Sequence, residues 1–120
     1  MKVVESGTGS GSLSVSMTKA IIPTGHLYTF EFNFDRVGKA KIDFEKLGIG
    51  EYVTVTHRDV LSDGFLLNHE DENAEEKVTA SSIDAIFIDL PSPEKAVPHA
   101  HQVLKKRGIM CNFSPCIEQV

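Results

Sequence analysis

Apolar positions follow two rhythms that alternate along the chain. Val3-Val4 is a short apolar run that stops at Gly7, Gly9 and Gly11, the pattern of a strand buried in a parallel sheet. From Ser12 onward, Leu13, Met17, Ala20 and Ile21 fall at helical spacing, and Pro23-Thr24-Gly25 ends that helix. Leu27 to Phe32 is rich in aromatic and β-branched residues and predicts a second strand. Val37, Ala40, Lys41, Phe44 and Leu47 predict an amphipathic helix closed by Gly48, and Tyr52 to Thr56 a third strand. Ile83 to Ile88 is the fourth strand. A helix is expected from about Glu94 to Lys106, with Pro98 in its first turn or at a kink, Gly108 at its end, and a fifth strand from Ile109 to Phe113. Between strands three and four, Ser62 to Ser82 is polar, with Glu70-Asp71-Glu72-Asn73 and Glu75-Glu76-Lys77. It reads as a solvated insertion.

Strand and helix alternate from end to end with no repeat. Such a pattern builds a parallel sheet with helices on both faces. The expected fold is α/β, a Rossmann-like, doubly wound core of about five strands. Residues 1–120 form one partial domain, apparently truncated because Val120 stands where another helix should begin. The apolar fraction of 41% and charged fraction of 24% are ordinary for a globular protein. No apolar run approaches the ~20 residues of a membrane span, and no signal-peptide pattern is expected at the start.

The net charge of -5 argues against a chain that holds nucleic-acid phosphates unaided. Cys111 and Cys116 lack zinc-ribbon spacing and read as reduced thiols of an intracellular protein. His99 and His101 are two residues apart, so on a helix they point away from each other. They read as a solvated helix face, and no metal is expected. The cluster Lys105-Lys106-Arg107 reads as a helix C-terminus facing its own dipole.

In doubly wound sheets, ligands bind where the strands end. After strand one comes Glu5-Ser6-Gly7-Thr8-Gly9-Ser10-Gly11, whose glycines allow a tight turn and close approach of a ligand. No Gly-Lys-Ser/Thr follows, so it is not a P-loop, and Ser12 stands at the last usual glycine of the dinucleotide fingerprint. Glu31, at the end of strand two, is placed to accept hydrogen bonds from both hydroxyls of a ribose. Asp59-Val60 follows strand three, where a carboxylate can take the amino group of adenine. Asp89-Leu90-Pro91 follows strand four. Each acid alone could equally be a helix cap or surface charge. A suitable group after each of four successive strands points to a ligand site, and the glycine turn without a third spaced glycine favours S-adenosylmethionine over a nicotinamide dinucleotide, which needs a pyrophosphate cradle.

Several segments then become specific. Glu5 to Leu13, Pro23-Thr24-Gly25, Phe30-Glu31-Phe32, Thr54 to Val60, Asp89-Leu90-Pro91-Ser92-Pro93 and Phe113 to Val120 resemble the catalytic subunits of tRNA (adenine-N1) methyltransferases. The resemblance spans nearly the whole chain. The last segment, with the polar insertion, is similar to the eukaryotic branch.

The resemblance implies a class I fold and methyl transfer from S-adenosylmethionine to N1 of the T-loop adenosine of tRNA. It implies that Gly7, Gly9, Ser10, Gly11, Ser12 and Leu13 line the cofactor, that Glu31 holds the ribose with Arg36 beside it, and that Asp59 and Val60 hold the adenine. Asp89 would face both the cofactor and the target base as the catalytic residue. The implied partners are tRNA and a related non-catalytic subunit in a hetero-oligomer. The implied compartment is the nucleus, with the cytosol second. One departure is visible: Glu94 stands where the family usually has Trp, which touches the base pocket rather than the cofactor. A nucleotide-dependent oxidoreductase and a catalytically silent relative or fragment are the alternatives.

Overall fold

A computed structural model describes residues 1–9, 11–65, 78, 81–89 and 93–112. In chain order it forms β1 (Lys2–Ser6), α1 (Ser12–Ile21), β2 (His26–Glu31), α2 (Phe34–Lys46), a 3-10 turn at Gly50–Tyr52 and β3 (Val53–His57). Then follow α3 (Val60–Asp63), β4 (Ile83–Ile88), a 3-10 turn at Pro93–Lys95, α4 (Val97–Val103) and β5 (Leu104–Asn112). The five strands form one sheet in the order β3-β2-β1-β4-β5, with every pair parallel. This is the Rossmann-like arrangement expected of the alternation.

Successive strand residues point to opposite faces, so a strand covered on both sides is mostly apolar along its whole length. Val3 and Leu27 join Val37, Ala40, Phe44, Val53 and Val55 on the face of α1 and α2. Val4, Tyr28 and Phe30 join Val60, Phe65, Ile86, Ile88, Ala100 and Val103 on the other face. Buried side chains of this kind each contribute roughly 1.5–3 kcal/mol. The register sets Ser6 level with Phe30 and with Ile88, and Glu31 level with His57. The carboxyl ends of β1 to β4 therefore open on one edge. β1 lies between β2 and β4 with the chain order reversing across it, the crevice where such sheets take ligands.

Four local expectations are corrected. First, α1 buries only part of its apolar stripe: Met17 and Ile21 pack against the core, but Leu13 is 38% exposed and Ala20 is exposed, whereas Ser14 and Thr18 are fully buried. The buried Glu5 carboxyl lies beneath this helix and takes the Ser14 hydroxyl, while Thr18 gives its hydroxyl to the Ser14 carbonyl, so both polar side chains turn inward.

Second, the helix expected to reach Lys106 ends at Val103, and the next residue already belongs to β5. Lys105-Lys106-Arg107 is therefore not a helix C-terminus. The pairing with β4 jumps from Ile83–Leu104 to Ala85–Ile109, so these residues and Gly108 form a bulge opposite Asp84. The Lys105 ammonium meets the Asp84 carboxylate at 3.0 Å.

Third, the polar stretch Ser62 to Ser82 is not wholly solvated. Its ends carry Phe65 and Val78, both fully buried, with Phe65 edge-on to Phe30 at 5.4 Å between centroids. The acidic runs at 70–73 and 75–77 lie outside the described residues.

Fourth, His99 is half-buried and bonded to α3 rather than on a solvated face. Among the described residues no helix is long and apolar enough to cross a membrane.

Candidate functional site

The glycine turn after β1 is shaped by three left-handed residues. Gly7 has φ 98°, Gly9 55° and Gly11 87°, a region that side chains with a Cβ rarely enter. At Gly7 the reason is also steric: a Cβ there would lie 2.4 Å from the Asp89 carbonyl oxygen. The Gly7 N–H donates to the Phe30 carbonyl at 2.9 Å, while the Asp89 N–H donates to the Ser6 carbonyl at 2.9 Å. The ends of β2, β1 and β4 are thus laced together at Gly7. Gly11 caps α1 with backbone alone, its N–H given to the Thr8 carbonyl at 2.9 Å.

Glu31 is only 6% exposed. Its Oε1 accepts the Gly9 N–H at 3.0 Å and its Oε2 accepts the Asn33 N–H at 3.0 Å. Both carboxylate oxygens are oriented by backbone donors, and each keeps acceptor capacity for a further hydroxyl. The Arg58 N–H holds the Glu31 carbonyl at 3.0 Å, joining β2 to the start of the next loop.

Beside Glu31 lies a cavity of about 280 Å³ lined by Ser6, Gly7, Phe30, Glu31, Phe32, Arg58, Asp59, Val60 and Leu61. Its walls are mostly apolar, with Phe32 71% exposed. Asp59 caps α3: Oδ1 accepts the Leu61 N–H at 3.1 Å and Oδ2 the Ser62 hydroxyl at 3.2 Å. Cap and ligand contact are not exclusive, because a carboxylate offers about four acceptor positions. Val60 is the first helical residue, so its N–H has no intrahelical acceptor. A carboxylate acceptor next to such an N–H matches the donor amine and acceptor ring nitrogen of adenine. Ser6 adds a buried hydroxyl with no hydrogen-bond partner among the described residues.

Beneath the turn, Glu5 is 2% exposed and packed under α1. Its Oε1 accepts hydrogen bonds from the Ser14 hydroxyl and from the Thr29 hydroxyl, the latter at 2.7 Å. Thr29 gives its proton to Glu5, so Thr8 must be the donor in the 2.7 Å Thr8–Thr29 contact. Burial raises the Glu5 carboxyl to about 7, and the negative charges of Asp89 and Glu31 add to the rise against the opposing Ser14 and Thr29 bonds. The carboxyl that ties β1, β2 and α1 together is therefore held well above the usual carboxylate range.

The expected site residues fall into two groups. Gly7, Glu31, Asp59 and Val60 line one cavity, and Gly9 joins them through Glu31. Ser12 and Leu13 in the first turn of α1, and Arg36 in the first turn of α2, are exposed and do not line it. Asp89 is exposed at the end of β4, on the side of β1 away from β2. Ser10, the Leu90-Pro91-Ser92 part of the Asp89-Leu90-Pro91-Ser92-Pro93 segment, and Phe113 to Val120, with Cys116, lie outside the described residues. The lining residues Ser6, Phe30, Phe32, Arg58 and Leu61 do not stand out in the sequence, although each flanks one that does. In the sequence Glu5 reads only as the end of the first strand and the start of the glycine turn. A glutamate continuing an apolar strand, opposite Ser14 and Thr18 one helical turn apart, was the available signal. Among the described residues no three His, Cys, Asp or Glu side chains gather as a metal site.

The family model described as the tRNA methyltransferase complex GCD14 subunit matches residues 1–120. The tRNA (adenine(58)-N(1))-methyltransferase catalytic subunit of Dictyostelium discoideum is 50% identical over 120 residues, 99% of this chain and 36% of that protein. The corresponding Schizosaccharomyces pombe subunit is 41% identical over 125 residues, 99% of this chain and 31% of that protein. The chain thus spans about a third of the length of the curated relatives it matches. A solved SAM-dependent O-methyltransferase from Thermotoga maritima superposes with a TM-score of 0.80 at 24% identity, covering 98% of this chain and 39% of the other. The tRNA methyltransferase TrmI from Aquifex aeolicus does so with 0.73 at 22% identity, covering 98% and 41%. These two structures share the fold.

Proposed function

The chain belongs to the family of the tRNA methyltransferase complex GCD14 subunit, and on that premise we propose that it forms the S-adenosylmethionine-binding part of a tRNA (adenine-N1) methyltransferase catalytic subunit. The observation that carries this reading is the apolar cavity between the Glu31 and Asp59 carboxylates at the switch point of the sheet. At about 280 Å³ it is at the small end of ligand pockets, roughly 300 Å³ upward, and suits one nucleoside rather than a dinucleotide.

The residues fit the adenosine of the cofactor. Glu31, fixed by Gly9 and Asn33, would accept the two ribose hydroxyls. Asp59 would accept from the adenine amine and the Val60 N–H would donate to the ring, with Phe32 and Leu61 against its faces. The glycine turn, including Ser10 to Leu13, would carry the rest of the cofactor past the end of β1. When bound, S-adenosylmethionine supplies a methyl group already activated by its sulfonium.

What remains for the chain is alignment and charge stabilisation. Asp89, exposed at the end of β4, would stand against the exocyclic amine of the target adenine. As N1 takes the methyl, the base becomes positive and the amine more acidic, and the carboxylate stabilises that charge and can hold the proton. The target base would leave its stack to reach this edge.

With a net charge of -5, the chain would rely on a related non-catalytic subunit for much of its affinity for tRNA phosphates. A nuclear site of action belongs to the same proposal. The test is methyl transfer to tRNA by the assembled enzyme: Asp89→Ala is expected to abolish it. Near-normal turnover would remove Asp89 from the catalytic role.

A further inference from the structure

His99 sits on α4, the helix that follows the Asp89 loop, yet its ring is engaged with the cofactor side of the cleft. Its Nε2 lies 3.1 Å from the Leu61 carbonyl. A carbonyl can only accept, so Nε2 carries the proton and donates. The other edge of the ring rests against the backbone of Gly64, where a Cβ would come within 2.8 Å of Nδ1. Gly64 is buried and has φ 73°, so the ring occupies space that only glycine leaves open.

The segment held in this way is α3, four residues long, between Asp59 and Gly64. A single helical turn has little stability of its own. It is braced from outside at two carbonyls: Leu61 by His99, and Gly64 by the Arg58 Nη1 at 3.3 Å. Asp59, Val60 and Leu61 are also wall residues of the cavity. The brace therefore joins the wall of the nucleoside pocket to the helix that continues from the Asp89 side of the cleft.

We propose that His99 is a positioning residue: by donating Nε2–H to the Leu61 carbonyl while packed on Gly64, it fixes α3 in the conformation that receives the adenine. The inference rests on the cofactor reading above. It makes cofactor affinity depend on a residue that touches no part of the cofactor, and it ties the two sides of the cleft together.

The test compares His99→Leu, His99→Gln and His99→Asn with wild type in the full chain. Glutamine places an amide donor near the Nε2 position, asparagine falls short of it, and leucine has none. Titration calorimetry with S-adenosylmethionine should show affinity falling about two- to tenfold in the leucine and asparagine variants, the worth of one net hydrogen bond. The glutamine variant should recover most of it. Amide exchange needs no ligand: the Asp63 and Gly64 N–H groups, bonded to Asp59 and Val60 carbonyls, should exchange faster in His99→Leu and His99→Asn but not in His99→Gln. Unchanged exchange in all three variants overturns the proposal, as does an equal loss of affinity in all three that follows their melting temperatures. If wild type binds no S-adenosylmethionine, the cofactor reading fails, and the exchange pattern alone decides whether His99 holds α3.

Discussion

Replacing Glu5 by glutamine tests whether a buried carboxyl beneath the glycine turn is held near its titration point. Folding moves this group from the ordinary 4.5 to about 7, chiefly by desolvation. A carboxyl whose pKa is raised binds its proton more tightly in the folded state. Its favourable contribution is complete below the unfolded value and is lost as pH rises through the folded one. At about 1.4 kcal/mol per unit the full loss is roughly 3 kcal/mol, of which about 2 kcal/mol falls between pH ~5.5 and ~8.5. Glutamine keeps the shape, and its amide oxygen can still accept from Ser14 and Thr29, but it cannot ionise. Urea unfolding followed by far-ultraviolet circular dichroism at the two pH values gives each protein's change in stability. Other groups titrate alike in both, so the difference isolates Glu5. The Glu5→Gln variant should gain about 2 kcal/mol relative to wild type on going from the acidic to the basic condition. Parallel pH dependence in the two proteins would refute the placement of an ionisable, desolvated carboxyl beneath α1.

Other expectations follow from single contacts. Gly7→Ala puts a Cβ 2.4 Å from the Asp89 carbonyl at φ 98°, so it should cost at least about 1–3 kcal/mol in thermal unfolding and weaken any ligand that uses the turn. Asp59→Ala removes the cap of α3; stability should drop by about 1 kcal/mol, and cofactor affinity should fall further than that loss alone explains. Phe44→Ala empties a core position under the glycine turn, where the ring lies 3.4 Å from the place of a Gly11 Cβ. Chemical denaturation should show a loss of about 3–5 kcal/mol.

Most of the sheet was legible because its strands are buried on both faces and therefore read as continuous apolar runs between glycines and prolines. Positions such as Val3-Val4 and Ile83 to Ile88 admit little else. The carboxylates were legible for a topological reason: a doubly wound sheet presents whatever follows each strand to one edge, so Glu31 and Asp59 meet at one cavity though they are distant in sequence.

What escaped was set by tertiary partners. The buried face of α1 is polar because Glu5 lies under it, and hydrophobic periodicity has no term for a buried acid. The end of α4 escapes the periodicity because Leu104 already pairs with Ile83 across the sheet, a tertiary pairing that draws a helix-compatible sequence into β5. Val60 to Asp63 is too short for periodicity to register. His99 at two-residue spacing from His101 looked like surface, since its acceptor lies on an element 38 residues away. Phe65 and Val78 were hidden in a window whose average is polar.

The most direct measurement is calorimetric titration of S-adenosylmethionine into this chain, with Glu31→Ala as control and NAD as competitor. Saturable one-site binding, lost in Glu31→Ala and undisturbed by NAD, is the predicted result. A folded chain that takes up no S-adenosylmethionine, or binds it equally well without the Glu31 carboxylate, would contradict the assignment of this cleft.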